Sequence, residues 1–210
     1  MIHPDTVVKI VNDQIGYGVF ATAFIPKGTI TFVRDTLDII ISPQDYEVSE
    51  PQYRAIIDKY TYQEGNGSRV LSWDHAKYVN HSCRPNAIST GYGFEIAIRD
   101  IEVGEEMTDE YGIFNIEQNF RCYCCSPDCR GIVRVDDLDR YAARWDEIIK
   151  DALGCFHAET QPLLRYITSD TYSDLMRYLN TGNDYASILT QKYIPVMERA
   201  EVNAALLSLS

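Results

Sequence analysis

Four cysteines fall within eight residues, in CYCCSPDC at positions 122–129. Cys122, Cys124 and Cys129 follow a C-x-C-x4-C spacing, which sets three thiolates on one tight loop, whereas tetrahedral zinc asks for four. Cys125 is one candidate for the fourth place, but in an extended chain it points away from its neighbour Cys124. A ligand from elsewhere is the better choice, and Cys83 is the candidate. A disulfide scaffold would be short, secreted and evenly studded with cysteine; here one knot sits in a chain of 210 residues with six cysteines, so metal is the first reading.

Three further stretches hold residues able to do chemistry. YVNHSCRPN at 78–86 runs an aromatic lead-in straight into Asn80, His81, Ser82 and Cys83, and Pro85 then turns the chain out of regular structure. GEEMTDEYG occupies 104–112, and GYGVFATAFIPKGT occupies 16–29. Each has a bland reading when taken alone. Gly16 and Gly18 suit a hairpin turn. His81 reads as a satisfied structural histidine, and Tyr111 as a core aromatic whose hydroxyl finds a backbone partner. The stretch Asp100 to Glu110, with six acidic residues and no base, reads as a solvated turn.

Their joint order overturns those readings. In sequence, the four stretches are similar to the successive signatures of SET-domain protein-lysine methyltransferases with a post-SET zinc motif, a resemblance that covers about residues 8–131. It implies an α+β fold, the SET-domain β-clip of several small sheets, with a pseudoknot that threads the Asn-His-Ser-Cys segment through a following loop. A helical C-terminal extension follows. The implied division is 1–118 SET domain, 119–134 post-SET zinc loop and 135–210 helical extension. The implied cofactors are S-adenosyl-L-methionine, bound by Gly16, Tyr17, Gly18, Asn80, His81, Tyr111 and Tyr123, and Zn2+, bound by Cys83, Cys122, Cys124 and Cys129. Tyr111 matches the catalytic tyrosine, and Tyr60, Tyr78, Asp109 and Phe114 are assigned to the substrate channel.

Elementary chemistry agrees with those roles. Methyl transfer from a sulfonium is an in-line displacement that needs alignment more than acid–base power, so carbonyls and a tyrosine hydroxyl around the methyl suffice. A lysine must arrive neutral although its unperturbed pKa is about 10.4, and a narrow aromatic channel that desolvates the ammonium helps it lose a proton. One departure stands out. Two residues before the catalytic tyrosine the family usually carries Phe or Tyr, and this chain has Asp109, which leaves the number of methyl groups added open. The cysteine-rich pre-SET zinc cluster of some relatives is absent as well, so substrate recognition is expected to fall to the segment 43–72 and the C-terminal helices.

The elements that must position these residues are legible in outline. TVVKIV, GVFATAF, TITFV, LDIIIS and GFEIAIRDI are β-branched or aromatic runs cut by Gly, Pro and Asp, which predicts several small sheets. One short helix is predicted over 52–60, followed by a Gly-Asn-Gly turn. After Arg134, Leu138, Tyr141, Ala142, Trp145, Ile148, Ile149, Ala152 and Leu153 recur at three-and-four spacing, with Gly154 where a C-terminal cap belongs. DTYSDLMRYLNTG repeats the pattern up to Gly182, and Asn183-Asp184 opens another helical stretch that Pro195 interrupts. These helices are expected to wall the peptide groove, with Asp136, Asp137 and Asp139 facing it; a homodimer interface is the rival.

Composition narrows the function classes. Hydrophobic residues are 45% of the chain and aromatics 11%, enough to bury a core. No apolar run reaches the roughly 18 residues of a membrane span, and the start MIHPDTVVKI lacks a secretory pattern, so the expectation is a soluble, unprocessed, intracellular protein, cytoplasmic or nuclear. The net charge of −12 disfavours direct nucleic-acid binding and favours a basic protein or peptide partner. The leading function is S-adenosylmethionine-dependent methylation of a lysine on such a partner. The alternatives are a non-catalytic SET-fold binding module, for which Asp109 is the warning sign, and a Cys83/His81 hydrolase, which needs a free thiol of low pKa.

Overall fold

The computed structural model describes residues 1–195. The short β-branched runs do form short strands, in four sheets among the described residues. In chain order the strands are β1 Thr6–Asn12, β2 Gly16–Ala21, β3 Ile30–Val33, β4 Ile39–Ile41, β5 Thr61–Gln63, β6 Arg69–Leu71, β7 Asn80–His81, β8 Ala87–Ser89, β9 Phe94–Ala97, β10 Glu106–Asp109, β11 Phe120–Arg121 and β12 Ile132–Val133. The helices are α1 Pro43–Glu47, α2 Pro51–Tyr60, α3 Asp137–Leu153 and α4 Ser169–Thr181.

One sheet gathers the residues of interest, in the order β1-β2-β10-β7. β10 pairs antiparallel with β2, Met107 opposite Val19, and parallel with β7, where Thr108 faces Asn80 and Asp109 faces His81. The segment continues along β10 past the strand, with Ser82 N donating to Asp109 O at 3.0 Å and Thr108 N donating to Asn86 Oδ1 at 2.8 Å. Gly18 lies where only a glycine fits, because a Cβ there would collide with the carboxylate of Glu106 and stand 3.1 Å from Asn80 Nδ2.

A second sheet, β3-β9-β8, carries the larger core on one face. Ile30, Val33, Ile88, Phe94 and Ile96 pack there against Leu138, Ala142, Trp145, Ile149 and Leu153 of α3, the apolar stripe read from the sequence. The stripes of the C-terminal helices therefore cover the chain's own strands. β4-β6-β5 forms a third sheet and, with α1 and α2, builds the segment 39–71.

One helix-end expectation is corrected. Gly154 caps α3 as expected, with a right-handed φ of −59°, and the chain runs on through a 3-10 turn at Phe156–Ala158. Gly182 adopts the left-handed conformation, φ 71°, expected of such a cap. The helical stretch expected from Asn183 is only a 3-10 turn at Ile188–Gln191. Asp184 takes φ 59°, which breaks helical continuation, and Ile188 is buried with its N–H donating to Asp146 Oδ1 at 2.9 Å. From residue 196 onward the sequence expectations lie outside the described residues. No helix among those described is long and apolar enough to cross a membrane.

Candidate active site and metal centre

The tightest cluster is sulfur. The Sγ atoms of Cys83, Cys122, Cys124 and Cys129 all lie within 4.8 Å of one another, and Cys83 and Cys122 are 3.7 Å apart. A tetrahedral centre with Zn–S near 2.3 Å has sulfur-to-sulfur edges of roughly 3.8 Å, so the spacing fits. Main-chain donors already point at the sulfurs: Cys83 N and Arg130 N reach Cys124 and Cys83 at 3.5 and 3.4 Å, while Cys124 N and Gly131 N reach Cys122 and Cys129, both at 3.4 Å. Burial raises the Cys124 thiol, yet hydrogen bonds from Cys83 N, from Ser126 and from Cys122 outweigh it and bring the pKa down to about 6. The donor set therefore suits a thiolate-bound metal. Cys125 is turned away by a φ of 53°, exposed, with its thiol on Tyr123 O at 3.4 Å. Cys155 lies apart, against Gly28.

β7 links that cluster to the Tyr111 turn through His81. The ring Nδ1 accepts from Tyr111 N at 3.2 Å, which leaves Nε2 to carry the proton toward Cys83 Sγ at 3.4 Å. Burial, then the Arg130 charge, holds the His81 pKa down to about 4, so the ring is neutral. Burial also pushes the Cys83 thiol upward. A Cys83/His81 nucleophile needs the opposite, a free and acidified thiol, whereas Cys83 lies within the four-sulfur cluster.

Asn80 Nδ2 donates to Tyr17 O at 2.9 Å and to Glu106 Oε1 at 2.8 Å. Register and these bonds bring Gly16, Tyr17, Gly18, Asn80, His81 and Tyr111 to one end of one sheet. Gly16 opens onto free space, and Tyr17 leaves 53% of its surface exposed, so aromatic and polar groups are available there to a ligand. Tyr123 is 51% exposed on the cysteine loop, with Arg121 over its ring at 5.3 Å.

Tyr111 sits in a 3-10 turn at Tyr111–Ile113 immediately after β10. Its hydroxyl donates to Val79 O at 2.6 Å, and its ring meets His81, Phe114 and Phe120 at centroid distances of 5.5, 5.8 and 6.3 Å. Burial drives its pKa up, so the phenol keeps its proton. Beneath it lies a pocket of about 530 Å³ with Tyr60, Tyr62, Phe114 and Phe120 among its walls and Glu95 and Asp109 at its lining. Tyr78 is not among the lining residues; it packs edge-on against Tyr60 at 5.8 Å and beside Tyr17 at 5.5 Å. Tyr46, Asp58, Tyr60 and Arg69 contribute from the segment expected to recognise substrate, whereas α3 and α4 contribute nothing to this pocket. Of the acids expected to face a peptide groove, Asp137 is 1% exposed and engaged by Arg130, and Asp139 pairs with Lys192 at 2.7 Å.

Three residues here escape a sequence reading. Arg130 joins the cysteine loop to the rest, its Nη2 2.5 Å from Glu110 Oε1 and its Nη1 3.4 Å from Asp137 Oδ2. Glu110 Oε1 also accepts Gly112 N at 2.8 Å, which fixes the turn that holds Tyr111. Glu95 is the third; an acid inside the apolar run FEIA was its one available signal.

The SET domain family matches residues 16–112. The chain is 30% identical over 156 residues to a histone-lysine N-methyltransferase, H3 lysine-36 specific, of Schizosaccharomyces pombe, covering 68% of this chain and 19% of that protein. It is 30% identical over 136 residues to the variant-silencing SET domain-containing protein of Plasmodium falciparum, covering 56% and 5%. It is 29% identical over 142 residues to histone-lysine N-methyltransferase TRX1 of Oryza sativa, covering 61% and 14%. The chain therefore spans less than a fifth of the length of these relatives. A solved structure of KRYPTONITE in complex with mCHG DNA and SAH overlaps 58% of this chain and 27% of that one at 17% identity, with a TM-score of 0.41, too slight for a conclusion to rest on. The motif match, the small sheets that carry it and the named relatives agree: over residues 16–112 this chain is a SET domain.

Proposed function

We propose that the chain transfers a methyl group from S-adenosyl-L-methionine to a lysine side chain of a basic protein segment. One juxtaposition carries the reading: the Tyr111 hydroxyl, anchored on Val79 O, lies where the sheet end bearing Gly16–Gly18, Asn80 and His81 meets the aromatic pocket. When bound at that sheet end, S-adenosyl-L-methionine supplies a methyl on a positively charged sulfur. Tyr111 stays a neutral phenol, so its part is orientation and dipolar stabilisation rather than proton removal. The aromatic walls desolvate the incoming ammonium and favour its neutral form. The net charge of −12 draws a basic segment inward.

Cys83, Cys122, Cys124 and Cys129 would hold zinc as a structural staple, tying the Asn80–Cys83 segment to the loop 122–131. The functions named for the three relatives above belong to much longer proteins, and the partner of this chain is proposed only as a basic protein.

The test is incubation of the purified chain with labelled S-adenosyl-L-methionine and core histones or a cell lysate, followed by mass spectrometry of labelled lysines. Tyr111→Phe is expected to lower transfer by roughly one to three orders of magnitude while cofactor binding survives. Cofactor binding by the wild type with no transfer to any protein would instead favour the binding-module reading, for which Asp109 in the pocket is the specific observation.

A further inference from the structure

The pocket below Tyr111 holds two carboxyl groups, Glu95 on β9 and Asp109 on β10, and neither forms an ion pair among the described residues. Asp109 is 1% exposed; its Oδ1 accepts Glu110 N at 2.6 Å, no N–H or ordinary O–H donor among the described residues reaches its Oδ2, and its carboxyl interacts with that of Glu95. A buried carboxyl oxygen without a donor is an unfavourable arrangement unless something that enters the pocket supplies one.

The charges nearby leave that role unfilled. Glu110 beside Asp109 is engaged by Arg130, and Asp74, near Glu95, lies with the N-terminal ammonium, which Asp35 holds at 3.0 Å. Of the pocket lysines, Lys77 Nζ is bound to main-chain carbonyls, at 2.6 Å from Asp74 O, and Lys59 lies over the Tyr60 ring at 5.0 Å. Arg69 pairs with Glu117 at 2.7 Å, and Asp58 accepts the Tyr46 hydroxyl at 2.7 Å. The Tyr62 and Tyr111 phenols remain protonated.

We infer that Glu95 and Asp109 act together as the proton acceptor for the substrate amine in this pocket, an inference that rests on the lysine-methylation reading for its biological use. The step balances simply. An entering R–NH3⁺ gives one proton to the pair; an N–H bond breaks, an O–H bond forms, and the electron pair stays on nitrogen as the lone pair a methyl transfer needs. The proton leaves to solvent after the methylated product departs.

Physical chemistry makes the pair suitable. Two carboxyls at one largely apolar pocket, Asp109 buried and Glu95 half-buried, cannot both ionise easily, so near neutrality they share a proton and keep one negative charge. Burial raises Glu95 to about 7, and burial and the Glu95 charge raise Asp109 well above an ordinary carboxylate. An acceptor lifted this far stands much nearer a desolvated lysine than an ordinary carboxylate does.

The experiment uses the full chain and n-butylamine as the lysine side-chain probe. With 13C-labelled Glu and Asp side chains at pH 8, saturation with n-butylamine is expected to move the Glu95 or Asp109 carboxyl resonance to its protonated position; carboxyl signals that stay unchanged overturn the inference. In parallel, methylation of core histones is followed from pH 6 to 10 for wild type, Glu95→Gln and Asp109→Asn, with fold checked by circular dichroism. The variants are expected to lose about 100-fold at pH 7.5 and to recover to within about tenfold of wild type near pH 10, where free amine abounds. Variants that follow the wild-type profile overturn it. A wild type that transfers nothing, yet protonates the pair on binding amine, keeps this inference and sinks the methylation reading instead.

Discussion

Glu95 shows how a single side chain can trade stability for chemistry. Its pKa lies near 7 in the folded chain against an ordinary 4.5, because burial disfavours the charged form. The folded state thus keeps a proton that the unfolded chain releases, so this contribution to stability is fully present below pH 4.5 and is lost as the pH rises through 7. Glu95→Gln removes the liability. Urea unfolding at pH 8 is expected to show the variant more stable than wild type by on the order of 1–3 kcal/mol, with the difference gone at pH 4. An equal gain at both pH values would mean that packing, not ionisation, is responsible.

The cysteine loop is the element on which the site turns. Purified chain is expected to contain one zinc, unchanged by Cys125→Ser and abolished by Cys124→Ser, as read by metal analysis. Zinc retained in full by Cys124→Ser, or lost on Cys125→Ser, would break the assignment. Next to the loop, Arg130 spans Glu110 and Asp137, which are 2% and 1% exposed, and so ties the loop to the Tyr111 turn and to the start of α3. Arg130→Ala leaves two buried carboxylates unpaired, for which a loss of about 3–5 kcal/mol is expected. Arg130→Lys recovers only part of it, because an ammonium cannot fork to both acids. Denaturant midpoints of the two variants check the order. Gly112 belongs to the same junction: a Cβ there would come within 2.9 Å of Asp137 Cβ and 3.1 Å of Trp145, so the turn and the helix meet only through a glycine.

At the scale of the whole molecule, α3 is a wall of the main core. Trp145, Ile149 and Leu153 are 6%, 0% and 1% exposed against the β3-β9-β8 sheet. Deleting 136–210 would bare that face. The truncated chain is expected to lose its cooperative unfolding transition and to bind hydrophobic dye. A remnant with a sharp transition would show that the strands hold themselves.

Local pattern alone carried much of this protein. The order of Gly16–Gly18, Asn80–Cys83, Tyr111 and the cysteine loop pointed to the SET domain, period two marked the strands, and three-and-four spacing marked α3 and α4, because each signal is complete within a few residues of chain. Cys83 was chosen as the fourth sulfur for the same local reason, that adjacent side chains diverge. The tertiary structure decided what depends on meetings between distant segments. Asp136, Asp137 and Asp139 looked like one acidic face, yet Asp137 is spent on Arg130 and Asp139 on Lys192. Glu95 and Asp109 lie on strands of different sheets, and Tyr78 falls outside the pocket that Tyr60 lines. Charge and aromaticity are written in the sequence, but which group desolvates or neutralises another is set by sheet register and packing, since such interactions fade within a few ångströms and the chain brings those groups together only when it folds.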